Sequence, residues 1–305
     1  MNGGLSWNVI DDAQRMLAFH FMLNALRAGT IVAVVAGAIG YFMVLRRQSF
    51  VGHTLAVVGF PGAAGATYLG LATPLGYFGF CVAAALVIAA LPGAGRANSG
   101  LGGYGEESAV IGTVQGFALA CGFLFVSLYK GFLTGLNSLL FGSIIGVTDD
   151  QVVTLLIAGG LCLVVLAIIG RPLLFGSVDP AVARARGVPV RLLNALFLVV
   201  LGVAAAGASQ VTGSLLVFAL LVAPAATASR LTARPGLGLA LSIVIAVVVV
   251  WVGEAVAFFS PYPIGFWVTT FAFGLFLLAT AYRAAVDAVG RRRIRTSPER
   301  TAATA

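Results

Sequence analysis

Few side chains in this chain are of a type that binds an ion or transfers a proton. There are only two histidines, and one of them, His53, stands near the start of an apolar run, one helical turn after Ser49. Gln115 and Glu254 are polar residues inside two other apolar runs. Because an ionisable group in a membrane segment is costly to insert, it usually faces a cavity or a partner. Ser49, His53, Gln115 and Glu254 are therefore candidates for lining a cavity or path through such a segment, and the imidazole of His53 makes it the candidate metal ligand.

Each of these residues also has a purely structural interpretation. His53 is either a path residue or a packed polar side chain near the inner mouth of its helix. Glu254 either lines the path or extends its carboxylate to the outer surface, as long polar side chains near helix ends do. The spans contain no Ser/His/Asp set and no metal cluster, which argues against a membrane enzyme. The three cysteines have no metal-ligand spacing and are interpreted as small packing residues.

The composition defines the class of protein that positions these residues. Of 305 residues, 60% are hydrophobic and only 9% are charged. Uncharged apolar runs of about 18 residues or more are typical of transmembrane helices. The sequence therefore predicts an all-α, polytopic transmembrane bundle in a lipid bilayer, with eight or nine spans. We place nine spans at 18–45, 50–71, 75–93, 108–129, 150–170, 191–208, 212–229, 236–259 and 264–284. The apolar stretch 131–147 is predicted to be a re-entrant or surface helix.

The arginines predict the orientation of the bundle. With the N-terminus outside, the inner loops contain nearly all of the basic residues, including Arg46 and Arg47, and so does the tail. This distribution follows the positive-inside rule, and it explains the net charge of +8 without nucleic acid as a partner. We therefore expect an extracytoplasmic segment at 1–16, a permease domain at 17–285 and a disordered, basic cytoplasmic tail at 286–305.

One inner connection, 171–194, is longer than the others. Within it, "DPAVARARG" is typical of a short helix, with Asp179 as N-cap, Pro180 at the first position and Gly187 as the stop. Physical reasoning alone leaves two alternatives open. The helix either lies on the lipid surface or docks onto a cytoplasmic partner.

Three blocks of sequence resemble one known family. "VLRRQSFVGHTLAVVGFPGAAGA" is similar to the second-helix signature of the metal-type ABC transporter permeases (the ABC-3 family), which are the membrane subunits of zinc and manganese importers. "LNSLLFGSIIGVTDDQVVTLL" resembles the segment before a later helix of that family. "SVDPAVARARGVPVRLLNALFLVV", followed by "GSLLVFALLVAPAATASRL", resembles its coupling segment and the helix beyond it. The similarity covers residues 17–285.

The resemblance implies a transport machine with several subunits and a type II ABC importer-like fold. Two permease subunits, as a homodimer, would pair in the bacterial cytoplasmic membrane. A cytoplasmic ATPase dimer would dock on the coupling segment 171–191 and an extracytoplasmic protein would deliver a divalent metal ion. The metal is cargo, and no permanent cofactor is expected. The chain has no GxxxxGK[ST] phosphate loop, so ATP hydrolysis belongs to the partner. The matching coupling residues are Asp179, Ala183, Arg184, Ala185, Arg186 and Gly187.

The resemblance also gives His53 a context. The family's second helix carries Gly-Asp-x-x-x-His, whose carboxylate and imidazole share a helix face and suit a divalent ion such as zinc or manganese. The aligned residues here are His53 and Val57, so one ligand has changed type and the other is absent. We also expect His53 to share a helix face with Ser49 and Arg46.

Two other transporters stay open as alternatives. The altered ligand pair is compatible with an ABC permease for another cargo, such as a metal chelate. A secondary transporter would need paired acidic groups in the membrane and inverted repeats, whereas only Glu254 is present and no repeat is evident.

Overall fold

The computed structural model describes residues 14–91, 103–129, 146–214 and 217–295. Every long regular element in these ranges is an α-helix, which confirms the all-α prediction. The first five are α1 (His20–Leu45), α2 (Ser49–Tyr68), α3 (Thr73–Ala90), α4 (Gly103–Leu128) and α5 (Asp149–Val178). The other five are α6 (Pro180–Ala185), α7 (Val190–Thr212), α8 (Val217–Leu231), α9 (Pro235–Phe258) and α10 (Ile264–Arg295).

A helix lies at each of the nine predicted spans. The count of nine was slightly too high, because not all of these helices are long and apolar enough to cross a membrane. In the described ranges, seven helices are long and apolar enough to cross a membrane, and α2 and α8 are not among them. Helix α8 has 15 residues, about 22 Å at 1.5 Å per residue, which is less than a hydrocarbon core of about 30 Å. The predicted helix at 131–147 falls almost entirely outside the described residues.

Helices α1 and α7 form the centre of the bundle. In both, 72% of the most apolar stretch is buried inside the bundle, whereas only 17–33% is buried in α4, α5, α9 and α10. Helix α1 packs against α5, α7, α8 and α9, and α7 also contacts α2 and α3. The outer helices thus present apolar faces of the kind that lipid covers.

Close packing of α2 on α3 depends on two glycines. A Cβ at Gly62 would collide with the carbonyl oxygen of Gly76, and a Cβ at Gly76 with the carbonyl oxygen of Gly62. Membrane helices gain little from the hydrophobic effect and approach closely through such small residues.

Two helices differ in length from their predicted spans. Helix α5 continues past Pro172 to Val178, so the first part of the predicted connection 171–194 is helical. Helix α10 continues to Arg295, so the disorder predicted for 286–305 does not apply to 286–295. An i,i+4 pair of Arg283 with Asp287, at 3.7 Å, supports this extension. Residues 296–305 lie outside the described part.

Candidate translocation and coupling sites

His53 lies in the second turn of α2 and faces α8. Its ring is half-buried and meets the ring of Phe218 edge to face, with centroids 5.0 Å apart. Its Nδ1 atom is buried and has no hydrogen-bond partner among the described residues. Val57, one turn later, is also buried and supplies no polar atom. The site therefore offers one free imidazole nitrogen beside an aromatic ring.

The predicted partners of His53 are not gathered around it. Ser49 begins α2 one turn earlier and is half-buried. The expected shared face with Arg46 is wrong, because Arg46 is the C-cap of α1 and precedes the turn into α2. Gln115 on α4 accepts a hydrogen bond of 2.9 Å from the hydroxyl of the fully buried Thr54. Gln115 thus ties α4 to α2 on a different face from the one that His53 uses.

Glu254 is fully buried between α9 and α1. Its carboxyl group lies against Gly29, and neither oxygen has a hydrogen-bond partner in the described part of the chain. The alternative in which Glu254 extends to the outer surface is therefore wrong, because α1 covers it.

Glu254 and His53 belong to opposite halves of the bundle. Gly29 contacts Glu254, whereas Met43 on the same helix contacts Gly52, next to His53. Fourteen residues of helix separate Gly29 from Met43, which is about 21 Å. One ion cannot touch both side chains. In the described ranges, no group of three or more His, Cys, Asp or Glu side chains is placed to hold a metal ion.

A second histidine has a partner that sequence reasoning missed. His20 Nε2 lies 3.2 Å from Asp149 Oδ2, and both side chains are exposed at the N-terminal ends of α1 and α5. Asp149 follows Thr148, which forms a capping box with Gln151. Asp149 is therefore part of a solvated helix start, where an acidic side chain is favourable.

The predicted short helix of the inner connection is present as α6, and its ends are as expected. Asp179 Oδ1 accepts hydrogen bonds of 3.0 Å from the backbone N–H groups of Ala181 and Val182, and Pro180 occupies the first helical position. The helix ends at Ala185, and Gly187, whose φ is +79°, follows the C-cap and stops it. The N–H of Val188 closes that end by donating to the carbonyl of Ala183 at 3.0 Å.

The faces of α6 differ in their exposure. Ala183 is fully buried against the bundle, whereas Ala181 and Ala185 are exposed. Val182 is 43% exposed, and Arg184 and Arg186 are exposed beside it. Of the predicted coupling residues, Ala183 thus anchors the helix from inside. The exposed alanines and arginines form the outward surface.

Arg46 forms a polar cluster that sequence reasoning did not find. Its guanidinium donates to Gln48 Oε1 at 3.1 Å, to Ser177 Oγ at 3.1 Å and to Asn194 Oδ1 at 2.8 Å. It also lies over the ring of Phe197, 5.4 Å from the centroid. Burial lowers the pKa of Arg46 to about 10, so the side chain stays charged at neutral pH. Only the double arginine before α2 hinted at this role, and it was interpreted as a topology signal.

This arrangement defines a class of protein. A family model described as the ABC 3 transport family matches residues 18–283, and the chain belongs to that family. It is a multi-pass permease of an ABC-type metal importer in the bacterial cytoplasmic membrane, and it is not itself an enzyme. The membership confirms the resemblance and decides against the secondary transporter.

The names of two relatives specify different metals. The chain is 33% identical to the manganese import system permease protein ScaB of Streptococcus parasanguinis over 210 residues, which are 69% of this chain and 72% of that protein. It is 30% identical to the chelated iron transport system membrane protein YfeC of Yersinia pestis over 243 residues, 79% of each chain. Among solved structures, it resembles PsaBC from Streptococcus pneumoniae in complex with Fab, with a TM-score of 0.77, 28% identity and coverage of 89% of this chain and 95% of that one.

Proposed function

We propose that this chain is the permease subunit of an importer for a divalent metal ion, with Mn²⁺ as the favoured cargo. The observation that carries the proposal is its similarity to ScaB, whose name specifies manganese import, over 69% of the chain. Two copies would form the pathway. A cytoplasmic ATPase dimer would supply the energy, and an extracytoplasmic binding protein would deliver the ion.

The free nitrogen of His53 supports a brief contact with the ion. Imidazole is a good ligand for borderline divalent metals, and the Nδ1 atom of His53 has no competing partner among the described residues. A single protein ligand binds weakly, and weak binding suits a path because the ion must also leave. A tight site would need further ligands, and Val57 supplies none. We propose that His53 lines the inner part of the path, with Ser49 one turn closer to the cytoplasm.

The outward surface of α6 supports docking of the ATPase. The exposed alanines allow close approach, and the exposed arginines suit an acidic rim on the partner. Asp179 and Gly187 fix the two ends of the helix, so its small size does not leave it loose. We propose that α6 transmits the motion of the ATPase to α5 and α7, which flank it in the chain.

A metal chelate is the second candidate cargo. The relative YfeC is named for chelated iron, and the missing ligand at Val57 favours a cargo that arrives with part of its coordination already complete. This candidate shares the proposed machine and differs only in what passes through it.

The deciding experiment is uptake by the complete complex in proteoliposomes. The permease, its ATPase and its binding protein would be reconstituted and given ⁵⁴Mn²⁺ with ATP, with a non-hydrolysable ATP analogue as the control. Competition with Zn²⁺, Fe²⁺ and a ferric chelate would then rank the cargoes. ATP-dependent ⁵⁴Mn²⁺ uptake that the chelate does not inhibit supports the proposal. Uptake of the labelled chelate alone would assign the second candidate.

A further inference from the structure

Arg46 joins three parts of the chain that are far apart in sequence. It ends α1, and its guanidinium reaches Ser177 near the end of α5 and Asn194 in the first turns of α7. Gln48, on the turn into α2, donates to the same Asn194 Oδ1 atom at 2.9 Å. Ser177 extends the network, because its hydroxyl donates to the carbonyl of Leu173 at 2.5 Å.

These partners lie on both sides of α6. Ser177 precedes the N-cap Asp179 by two residues, and Asn194 lies four residues after the first residue of α7, Val190. The proposed coupling helix is therefore held at its entry and at its exit by one side chain. That side chain belongs to the turn that leads into α2, the helix of His53.

The cluster contains a charge without a counter-ion. No carboxylate lies within ion-pair distance of Arg46 in the described part of the chain. The described partners of its N–H groups are neutral oxygens, and the ring of Phe197 supplies a cation–π contact. Three directed donors on one rigid fork fix the positions of their acceptors relative to each other. This geometry suits transmission of a movement better than simple charge neutralisation.

The turn beside Arg46 carries backbone strain. Arg47 has φ +57°, a left-handed conformation that residues other than glycine rarely adopt. Its N–H and that of Gln48 donate to the carbonyls of Val44 and Met43, at 3.0 Å each, and so close the end of α1. The turn is thus tightly bonded on the α1 side and is linked to the α6 flanks through Arg46.

We propose that Arg46 is the positioning residue that links movement of α6 to the start of α2, so that ATPase motion reaches the transport path. The proposal rests on the proposed function, because it requires α6 to be the ATPase contact. When α6 moves, Ser177 and Asn194 move with its two flanks. The guanidinium then transmits that displacement to the turn between α1 and α2. Helix α2 begins at Ser49, three residues after Arg46.

The test measures coupling and not only activity. In the proteoliposomes described above, ⁵⁴Mn²⁺ uptake and ATP hydrolysis are recorded together, and their ratio is the readout. Arg46→Met removes the three donors but keeps an apolar stem over Phe197. We expect the uptake-to-hydrolysis ratio to fall ~5-fold or more, within the usual range of coupling between sites, while the ATPase still co-purifies.

Variants of the acceptors separate transmission from folding. Asn194→Leu removes the shared acceptor and is expected to lower the ratio in the same way. Asn194→Asp keeps the shared acceptor oxygen and adds a charge-assisted bond to Arg46, so the ratio is expected to stay within about twofold of wild type. Ser177→Ala deletes one oxygen and should lower the ratio by a smaller factor. This variant decides the question if Arg46→Met does not insert.

The matched control is the neighbouring arginine. Arg47→Gly also removes one positive charge, and glycine adopts the observed φ without strain. Its ratio should match wild type.

An unchanged ratio in Arg46→Met, or in Ser177→Ala if Arg46→Met does not insert, overturns the proposal, and so does an equal fall in Arg47→Gly. If wild-type complex shows no ATP-driven uptake of any tested cargo, the proposed function fails first. Normal wild-type coupling with unaffected Arg46 variants refutes this inference alone.

Discussion

The carboxyl group of Glu254 fills the space that Gly29 leaves by having no side chain. A Cβ on Gly29 would collide with Oε1 of Glu254 and would lie 2.8 Å from Val250 Cγ1. The contact joins α1, the central helix, to α9. It also places a polar group that has no described hydrogen-bond partner inside the bundle.

The first prediction concerns this contact. Gly29→Ala should destabilise the permease by about 1–3 kcal/mol, because the added methyl group overpacks a closed interface. Glu254→Ala opens space at the same point, so the double variant should be more stable than the sum of the two single effects predicts. Thermal unfolding in detergent measures all three. Additive effects would show that the two residues do not share a contact.

The second prediction separates the shape of Glu254 from its charge. Glu254→Gln keeps the volume and removes the ionisable group. Because no described donor pairs with the carboxyl, we expect the melting temperature to be maintained and uptake to stay within about twofold. A loss comparable with Glu254→Ala would mean that the carboxylate binds an ion or a partner during transport.

The third prediction concerns the imidazole of His53. His53→Ala should lower metal uptake severalfold while expression and ATPase binding persist. Restoring the family pair with His53→Asp and Val57→His together should raise retention of ⁵⁴Mn²⁺ by the purified permease. Phe50→Ala, at an exposed position in the first turn of the same helix, is the control for a substitution in α2. Uptake that is unaffected by His53→Ala would make His53 a structural residue.

The fourth prediction concerns α6. Replacing the exposed Ala185 by Glu should dissociate or uncouple the ATPase, because a bulky anion would occupy the outward face between two arginines. The control is Leu192→Ala, at an exposed apolar position beyond α6 on α7. Co-purification of the two subunits and transport by the complex measure the effect. If both survive Ala185→Glu unchanged, docking occurs elsewhere.

The fifth prediction concerns orientation. With the N-terminus outside, cysteines introduced in 94–105 and after Arg291 should be protected from an impermeant thiol reagent in intact cells. A cysteine in the connection 260–263 should react. Ready labelling of the first two regions would invert the topology.

Local sequence signals determined the membrane class, the short helix α6 and the family of this protein. Long apolar runs fixed the membrane class and all-α architecture, since the backbone in lipid must bond to itself within each segment. Asp179, Pro180 and Gly187 determined α6, because caps act on the nearest backbone groups. The resemblance of neighbouring blocks identified the family. The length of the apolar run 212–229 wrongly predicted a full membrane span. That run includes Gly213, whose φ is +80°, and the helix that follows, α8, has only 15 residues.

Only the tertiary structure decided which polar groups meet. Arg46 and Asn194 are 148 positions apart, and His20 and Asp149 are 129 apart. No periodicity within a single helix encodes such pairs, because they depend on which helices are neighbours and on how each is rotated. The same reason separates Glu254 from His53, which looked like members of one path. The sequence supplied the chemical groups, and the packing of α1 against α5, α7, α8 and α9 determined which of them act together.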